Sequence, residues 1–446
     1  MLFNKYIFFF TTSVLITFIL MSICFCNFCF ANQNLQFSFH KLESDKKGHT
    51  LLIIGGIQGD EPGGFNAASI LATRYKITKG NLWIIPNLNF ISIINRSRGV
   101  YGDLNRKFAG ISPDDPDYNT IAEIKKVILN KKVDAVLNLH DGSGFYRKKY
   151  IDDMHNPLRW GQSIIIDQKI IDHPFGNLME TAKKAVKEIN LKIKSKEERY
   201  SIHNTKTYNG NHEMSKTLTY FAIRNSKPAF GLEVSKSFLT YKRAYYHLLV
   251  MENFFKNFGV EFERDFELSF SGVKDAINKD IQICLNNKIL LDLEDARKQL
   301  RYIPFRKDKK IELNSRNPLF ALVEYQGKYQ VFYGNRNITY IYPEYFEYDE
   351  QCADSINILI DGVEKKINFG KMIKVKKHFV VKPIKDSRVN IIGFVGEDKN
   401  KDEANILVRK NDFIKKFSVD KSGLIYRIEV YKEKKFSGMV LVKFII

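Results

Sequence analysis

Two oxygen-bearing side chains, those of Gln58 and Glu61, lie three residues apart in a glycine-rich turn. The apolar segment 51–54 predicts a strand before this turn, and the pattern after it predicts a helix from Phe65. Open α/β sheets bind ligands at the carboxyl ends of their strands. An amide oxygen and a carboxylate placed there can hold a divalent cation if a third ligand comes from elsewhere. Alone, the turn is a weak indication, because its spacing matches neither the dinucleotide-binding nor the P-loop pattern.

An arginine-rich loop, residues 95–108, follows in the chain. Its Arg98 and Arg106 carry planar guanidinium groups, which suit the bidentate binding of a carboxylate. Asn105 adds an amide beside them. Taken by itself, the segment favours a surface loop of solvated arginines.

Two apolar segments supply further polar side chains. The predicted strand 133–139 leads directly into His140, which would lie at the same edge of the sheet as Gln58 and Glu61 if the strands are parallel. A lone histidine at such a position is more often structural. Glu233 is embedded in the apolar segment 228–235. Because burial of an unpaired carboxylate is costly, Glu233 needs either a partner or a catalytic task.

In their order along the chain, these residues resemble the zinc carboxypeptidases related to carboxypeptidase A, over roughly residues 45–260. The resemblance implies one Zn²⁺ ion held by three side chains, those of Gln58, Glu61 and His140. It implies that Arg98 polarises the scissile carbonyl and that Glu233 is the general base. Asn105 and Arg106 would bind the terminal carboxylate of the substrate. The family also has a catalytic tyrosine on a loop before the base, for which Tyr208 is the candidate.

The chain departs from the usual family pattern at Gln58, where histidine is expected. A glutamine there is similar to the branch of periplasmic peptidoglycan DL-carboxypeptidases that set cell shape in helical bacteria and carry β-rich C-terminal domains. That resemblance implies cleavage of the stem tripeptide L-Ala-γ-D-Glu-meso-diaminopimelate to a dipeptide with release of diaminopimelate. A neutral amide donates less charge than an imidazole, so the metal would be held more weakly.

Two other functions remain open at this point. One is a catalytically inactive peptidoglycan-binding or scaffold protein, because the amide ligand carries a risk of lost activity. The other is a deacylase of the same superfamily, against which an export signal argues. His203 and His212 have no spacing that completes a second metal site, and we interpret both as structural or surface residues.

The first part of the chain alternates strand-like and helix-like periods, which predicts a mixed sheet flanked by helices, an α/β carboxypeptidase-like domain over residues 32–262. Strands are predicted at 35–40, 51–54, 81–86, 133–139 and 228–233, and helices at 65–75, 120–130, 177–190 and 241–258.

Beyond residue 262 the periodicity becomes that of short strands punctuated by Gly, Asn and Asp. This pattern predicts a β-barrel-like domain over 263–345 and an immunoglobulin-like β-sandwich domain over 346–446. The acidic, tyrosine-rich stretch 342–351 is the candidate boundary between the two. Strands are predicted at 319–325, 329–332, 338–341, 356–360, 379–381, 389–394, 406–408, 424–430 and 439–446.

The first 31 residues have the pattern of a secretory signal: Lys5, an uncharged apolar run over 6–21, and a small residue, Ala31, at the expected cleavage site. An uncleaved anchor is the alternative. We expect cleavage and a periplasmic location, with no stable membrane span afterwards. Export leaves only Cys284 and Cys352 in the mature chain, which is no disulfide framework.

The net charge of the 446-residue chain is +20, and removal of Lys5 with the signal leaves +19. Outside the cytoplasm, anionic partners of such a chain are peptidoglycan stem peptides, phospholipid headgroups and acidic peptides. Nucleic acid is rejected as a partner, because no binding signature is present and export removes the opportunity. The lysine-rich strip 371–385 is either a binding patch or a solvated face. Other cell-shape proteins are possible partners of the β domains.

Overall fold

The computed structural model describes residues 35–279, 281–307, 309–351, 354–396 and 402–445. A seven-stranded sheet forms the centre of the first 260 residues. In spatial order its strands are β1 (His40–Glu43), β4 (Asn81–Ile85), β2 (Thr50–Ile54), β5 (Ala135–Gly142), β10 (Ala229–Ser235), β8 (Ser163–Ile166) and β9 (Ser201–Asn204). The sheet is mixed, as the sequence predicts.

Four neighbouring strands in the middle of the sheet, β4, β2, β5 and β10, run parallel. On one side β1 pairs antiparallel with β4, and on the other β8 pairs antiparallel with β10 and parallel with β9. The carboxyl ends of β2, β5 and β10 therefore meet at one edge. Every residue of β2, β5 and β10 is buried, so these strands are covered on both faces, which explains their continuous apolar runs.

Seven α-helices lie in the described part of the chain. They are α1 (Pro62–Arg74), α2 (Phe90–Ile94), α3 (Tyr118–Ile128), α4 (Leu178–Lys192), α5 (Leu218–Arg224), α6 (Thr240–Asn257) and α7 (Phe270–Asn278). Pro62 opens α1, a position where its missing N–H costs nothing. Two small sheets complete this part: β3 (Tyr75–Lys79) with β11 (Glu261–Arg264), and β6 (Phe145–Tyr146) with β7 (His155–Asn156).

The second half of the chain consists mainly of strands. Two sheets come first, β13 (Ile289–Asp292), β12 (Gln282–Leu285) and β15 (Leu313–Asn314), and β14 (Gln299–Arg306), β18 (Arg336–Phe346), β17 (Lys328–Tyr333) and β16 (Phe320–Tyr325). Two four-stranded sheets follow, β20 (Val363–Asn368), β19 (Ser355–Ile360), β22 (His378–Val381) and β24 (Val408–Arg409), and β21 (Lys371–Val375), β26 (Lys435–Phe444), β25 (Ile425–Lys432) and β23 (Arg388–Ile392).

Two hydrophobic cores fill the described parts of the molecule, and the sheet of β25 and β26 separates them. The larger core runs from the α/β sheet into the following strands and takes in Tyr431, Met439 and Leu441. The smaller core lies at the C-terminal end and takes in Val430 and Val440. Since neighbouring side chains of a strand point to opposite faces, one sheet faces both cores.

The predicted strand at 35–40 is wrong, because the strand there, β1, begins only at His40. The backbone N–H of Ser38 donates to the side chain of Asn87 instead of to a neighbouring strand. A helix, α7, lies in the region predicted to be all-β, and its N-cap is Ser269, whose side chain accepts from the Gly272 N–H.

The predicted signal over residues 1–31 and Cys352 lie outside the described residues. Cys284 is half-buried and forms no disulfide within the described residues. Among the helices of the described ranges, none combines the length and the apolar character that a membrane crossing requires.

Candidate active site

Three side chains converge at the edge where the parallel strands end. Gln58 and Glu61 lie in the turn between β2 and α1, and His140 lies near the end of β5. The His140 Nδ1 atom is 3.2 Å from Gln58 Oε1 and 2.9 Å from Glu61 Oε2. All three side chains are nearly inaccessible to solvent. The edge position predicted for His140 is thus what the structure shows.

The carboxylate of Asp103 determines which way the Gln58 amide points. Gln58 Nε2 donates to both Asp103 oxygens, at 2.9 and 3.0 Å. A carboxylate only accepts hydrogen bonds, so the NH₂ group must face Asp103 and the oxygen must face His140. Burial favours the neutral acid, but the hydrogen bond from Gln58 and the nearby Arg98 keep the pKa of Asp103 below its usual value.

The other ring nitrogen of His140 contacts Asn138, which lies two residues earlier on the same face of β5. The two side chains approach to 2.8 Å between Asn138 Nδ2 and His140 Nε2. Asn138 Oδ1 is buried without a hydrogen-bond partner in the described chain. Rotation of this amide would let its oxygen accept a hydrogen bond from the Nε2–H group and leave the Nδ1 lone pair for a metal ion.

Glu61 lies among several hydrogen-bond donors and positive charges. Its Oε2 accepts from the Asp141 N–H at 3.1 Å, and its Oε1 is 3.6 Å from Lys236 Nζ and 3.8 Å from Arg98 Nη1. Burial opposes protonation of His140, but the Glu61 carboxylate outweighs it and raises the His140 pKa. Lys236, which follows Glu233 by three residues and lies directly after β10, was not predicted as a site residue from the sequence.

Glu233 is 9% exposed and pairs in register with His140 across β10 and β5. One of its oxygens lies against Gly142, where a Cβ atom would come within 2.6 Å of it. Burial raises the pKa of Glu233 to about 7, with Glu61 and Asp141 acting in the same direction and His140 against it. A carboxyl group with that pKa can both accept and return a proton near neutral pH.

The arginine-rich loop forms one side of the site. Arg98 Nε donates to Asp103 at 2.9 Å, and half of the Arg98 side chain is exposed. Asn105 Oδ1 accepts from the Leu218 N–H at 3.0 Å, which fixes the orientation of this amide. Arg106 lies 3.4 Å from the exposed carboxylate of Glu213. The guanidinium groups are therefore held in place but remain open to a ligand.

A cavity of about 260 Å³ joins these groups. Seven of the eight predicted site residues line it: Gln58, Glu61, Arg98, Asn105, Arg106, His140 and Glu233. Tyr208 does not line it, since the structure places its side chain, 56% exposed, on a short 3-10 helix. His203 stacks on Tyr146, with ring centroids 4.0 Å apart, and His212 is a surface residue.

The donor set fits a single zinc-like cation. A carboxylate oxygen, an amide oxygen and an imidazole nitrogen converge, and Asp103 and Asn138 orient two of them, as outer-shell partners of metal ligands do. Among the described residues no group of three or more His, Cys, Asp or Glu side chains could hold a metal ion. The candidate metal site contains only two such side chains, Glu61 and His140, because its third donor is the amide of Gln58.

A family profile described as "Carboxypeptidase controlling helical cell shape catalytic" matches residues 14–278. The chain belongs to this family. It is therefore a hydrolase, a metallocarboxypeptidase, as its motifs indicate. A second profile, the "C-terminal domain of metallo-carboxypeptidase", matches residues 349–445. A search of curated proteins found no match.

Solved structures of the cell shape determinant protein Csd4 from Helicobacter pylori resemble this chain along nearly its whole length. The apo form has 38% identity and a TM-score of 0.84, with 92% of this chain and 100% of the other covered. The mDAP-bound form, described as a D,L-carboxypeptidase, has 37% identity and a TM-score of 0.84 over 91% and 100%. The tripeptide-bound form has the same identity and TM-score over 92% and 100%.

Proposed function

We propose that the protein is a zinc DL-carboxypeptidase of the periplasm that trims peptidoglycan. Its substrate would be the stem tripeptide L-Ala-γ-D-Glu-meso-diaminopimelate, from which it releases diaminopimelate and leaves a dipeptide. The observation that carries this proposal is the convergence of Gln58, Glu61 and His140 opposite Glu233 in one cavity. The likeness to Csd4, whose solved forms include a tripeptide-bound and an mDAP-bound one, supports the choice of substrate.

Each side chain of the cavity has a task in this reaction. Gln58, Glu61 and His140 would hold zinc, which lowers the pKa of water and polarises a carbonyl when bound. Glu233 takes a proton from the attacking water and passes it to the leaving amine. Arg98, held by Asp103, stabilises the negative charge that develops on the carbonyl oxygen.

The substrate's free carboxylate would bind at the arginine loop. Arg106 lies beside the exposed carboxylate of Glu213, which a substrate carboxylate could displace. Asn105 lies next to it and is oriented by the backbone of Leu218. This anchor supports an exopeptidase, because the terminal residue of a peptide carries a free carboxylate close to the bond that would be cleaved. Tyr208 would have to move from its exposed position to act here.

The export and domain assignments belong to the same proposal. Residues 1–31 would be a signal, and residues 32–262 would form the catalytic domain. Residues 263–345 would form a barrel-like domain, which the four-stranded sheet β14-β18-β17-β16 supports. Residues 346–446 would form an immunoglobulin-like sandwich, supported by the two four-stranded sheets that pack around the smaller core.

Replacement of the base tests the enzymatic proposal. Glu233→Gln keeps the shape of the side chain but cannot accept the proton, so kcat for diaminopimelate release should fall roughly 10²- to 10⁴-fold. Zinc affinity should change little, since Glu233 is no ligand in this account. The exposed Glu180→Gln, on α4, is the control and should leave both quantities unchanged. Equal activity of Glu233→Gln and the wild type would contradict the assigned base.

The glutamine ligand is what favours an inert scaffold as the alternative, and Gln58→His distinguishes the two. We expect this variant to bind zinc more tightly, because imidazole is the stronger donor. We also expect the unaltered protein to be active already. If only Gln58→His releases diaminopimelate, the natural protein is a binding protein and not an enzyme.

A further inference from the structure

A second cavity, far larger than the candidate active site, lies between two β-sheets of the C-terminal half. Its volume is about 1440 Å³. It is lined by the edge strands β14 and β23 and by parts of β18 and β25. None of its lining residues also lines the candidate active site. Pockets for small ligands usually measure roughly 300–1,000 Å³, so this cavity has room for a segment of a polymer.

The walls of this cavity carry an excess of positive charge. Nine of its lining residues are Lys or Arg and four are Glu. Arg388 is the most informative of them, because its Nε is buried and has no hydrogen-bond partner in the described part of the chain. A buried guanidinium N–H without an acceptor favours the binding of an anion. The charge of the cavity therefore fits a ligand that carries carboxylates.

An aromatic side chain in the cavity wall stands at an irregularity of the backbone. The pairing of β14 with β18 shifts register between Arg301 and Ile303, and the residue between them, Tyr302, has a φ of +56°. A non-glycine residue with positive φ is strained and persists only where its surroundings hold it. Tyr302 is 62% exposed, and Tyr345 and Phe417 add further exposed aromatic rings to the wall.

A buried polar network holds this bulge in place. Arg427 donates to the Tyr302 carbonyl at 3.1 Å and lies 3.3 Å from Glu429, which accepts from the Tyr431 hydroxyl at 2.7 Å. The three side chains stand at alternate positions of β25 and all line the cavity. Buried charges are expensive, and the chemistry of the candidate active site does not use these. They fix the wall from which Tyr302 projects.

We propose that this cavity binds a strand of sugar rings that carries peptides with free carboxylates. The inference rests on the proposed function, because that polymer would contain the substrate. Aromatic rings present flat apolar faces to the C–H faces of sugars, and Arg388 with the surrounding lysines pairs with the carboxylates.

A concave site of this kind does not fit a membrane. A bilayer surface is flat and cannot enter the space between the two sheets, whereas a flexible strand can. The candidate active site would bind only one stem peptide of the polymer at a time. The second cavity would therefore hold the enzyme on the polymer between cleavages, and raise the local concentration of stem peptides.

Co-sedimentation with purified peptidoglycan sacculi tests this proposal. Tyr302→Ala and Arg388→Gln should each weaken binding about tenfold, as expected for the loss of a charge-assisted contact or a stacked ring. Tyr302→Phe keeps the ring and should bind like the wild type. Lys374→Gln removes the same charge as Arg388→Gln from an exposed strand outside the cavity, and should leave binding unchanged. All variants should cleave a soluble tripeptide at the wild-type rate.

Binding is measured with zinc removed by a chelator, so that it does not depend on turnover. If the wild type does not cleave the tripeptide, the proposed function is wrong, but the binding measurement still tests the cavity proposal. Unchanged binding by Tyr302→Ala and Arg388→Gln would overturn the cavity proposal. An equal loss of binding by Lys374→Gln and Arg388→Gln would also overturn it, because it would indicate a general attraction between opposite charges. Cavity-dependent binding to anionic phospholipid vesicles, but not to sacculi, would overturn it as well.

Discussion

At the scale of single residues, the unusual feature of the site is an amide whose direction is fixed by a carboxylate. Gln58 could present either end of its amide to a metal ion, and only the oxygen is a useful ligand. The two hydrogen bonds to Asp103 settle this choice. Asp103 also holds Arg98, so one carboxylate positions a metal donor and the group that stabilises the developing charge.

Asp103→Asn tests this role. An asparagine offers an NH₂ group as well as an oxygen, so it no longer forces the Gln58 oxygen toward His140. We expect zinc affinity, measured by competition with a chromogenic chelator, to fall roughly 10- to 100-fold. The exposed Asp114→Asn is the control and should bind zinc like the wild type. Unchanged zinc affinity of Asp103→Asn would show that Gln58 is oriented by something else.

The sequence alone identified seven residues that line the site, because their types and their order along the chain are informative. Asp103 and Asn138 were missed. Asp103 accepts a hydrogen bond from Gln58, which lies 45 positions away in the chain, and no local spacing in the sequence predicts such a contact. A signal for Asn138 was present: it stands two residues before His140 in a predicted strand, and therefore on the same face.

At the scale of elements, the end of β5 is tied to α1 and α6 by one fully buried carboxylate. Asp141 accepts from the Gly63 N–H at 2.8 Å and contacts Arg243 at 3.2 Å and His247 at 3.0 Å. Burial alone would favour its neutral form, but these partners lower the pKa of Asp141. The backbone N–H of the same residue donates to Glu61, so this junction also positions a candidate ligand.

Asp141→Ala should destabilise the fold strongly, since it leaves the mostly buried Arg243 guanidinium without its carboxylate and the buried His247 without its hydrogen-bond partner. We expect the free energy of unfolding, measured by denaturant titration, to fall by about 3–5 kcal/mol. Glu263→Ala breaks an exposed pair with Lys76 and should cost at most about 1 kcal/mol. A similar small effect for both variants would show that the junction does not hold these elements together.

His203 on β9 makes stability depend on pH. Burial lowers its pKa from 6.5 to about 4. Between these values the unfolded chain binds more protons than the folded one, so stability is present above pH 6.5 and is lost as the pH falls. From pH 7 to pH 5 this residue should cost about 2 kcal/mol of unfolding free energy. His203→Phe should reduce the difference between the two pH values by that amount, and an unchanged difference would refute the assignment.

Long apolar runs with clear ends made the central strands and helices predictable from sequence. Shorter elements such as β8 and β9 were missed, because four residues carry too little periodicity to distinguish a strand from a loop. The helix α7 was missed because all of the sequence after residue 262, where the periodicity becomes that of short strands, was assigned to strands. Which strands pair across the β region depends on contacts distant in sequence, and the sequence showed only that strands occur there.

At the scale of the whole molecule, the parts are joined by packing and not merely by linkers. Gly334, in the turn between β17 and β18, lies against Phe65 of α1, and a Cβ atom there would come within 2.9 Å of its ring. Arg96 donates to the Asn335 carbonyl at 2.7 Å, and Ser69 donates to Asn317 at 2.9 Å. The larger core continues across this contact and reaches β25 and β26.

This arrangement predicts a single cooperative unfolding transition for the purified protein by calorimetry. A chain ending after residue 348 would lose the sheet that covers one side of the larger core. It should therefore melt at a lower temperature than the full chain, or fail to melt cooperatively. Two separate transitions in the full chain, with the first part melting as it does alone, would contradict a shared core.

The most direct test of the account is mass spectrometry of the stem tripeptide incubated with the purified protein, with and without a zinc chelator. The account predicts that diaminopimelate is released, that the chelator stops the release, and that added Zn²⁺ restores it. Glu233→Gln should release diaminopimelate roughly 10²- to 10⁴-fold more slowly although zinc is bound. An intact tripeptide beside wild-type protein with confirmed bound zinc would contradict the proposed activity.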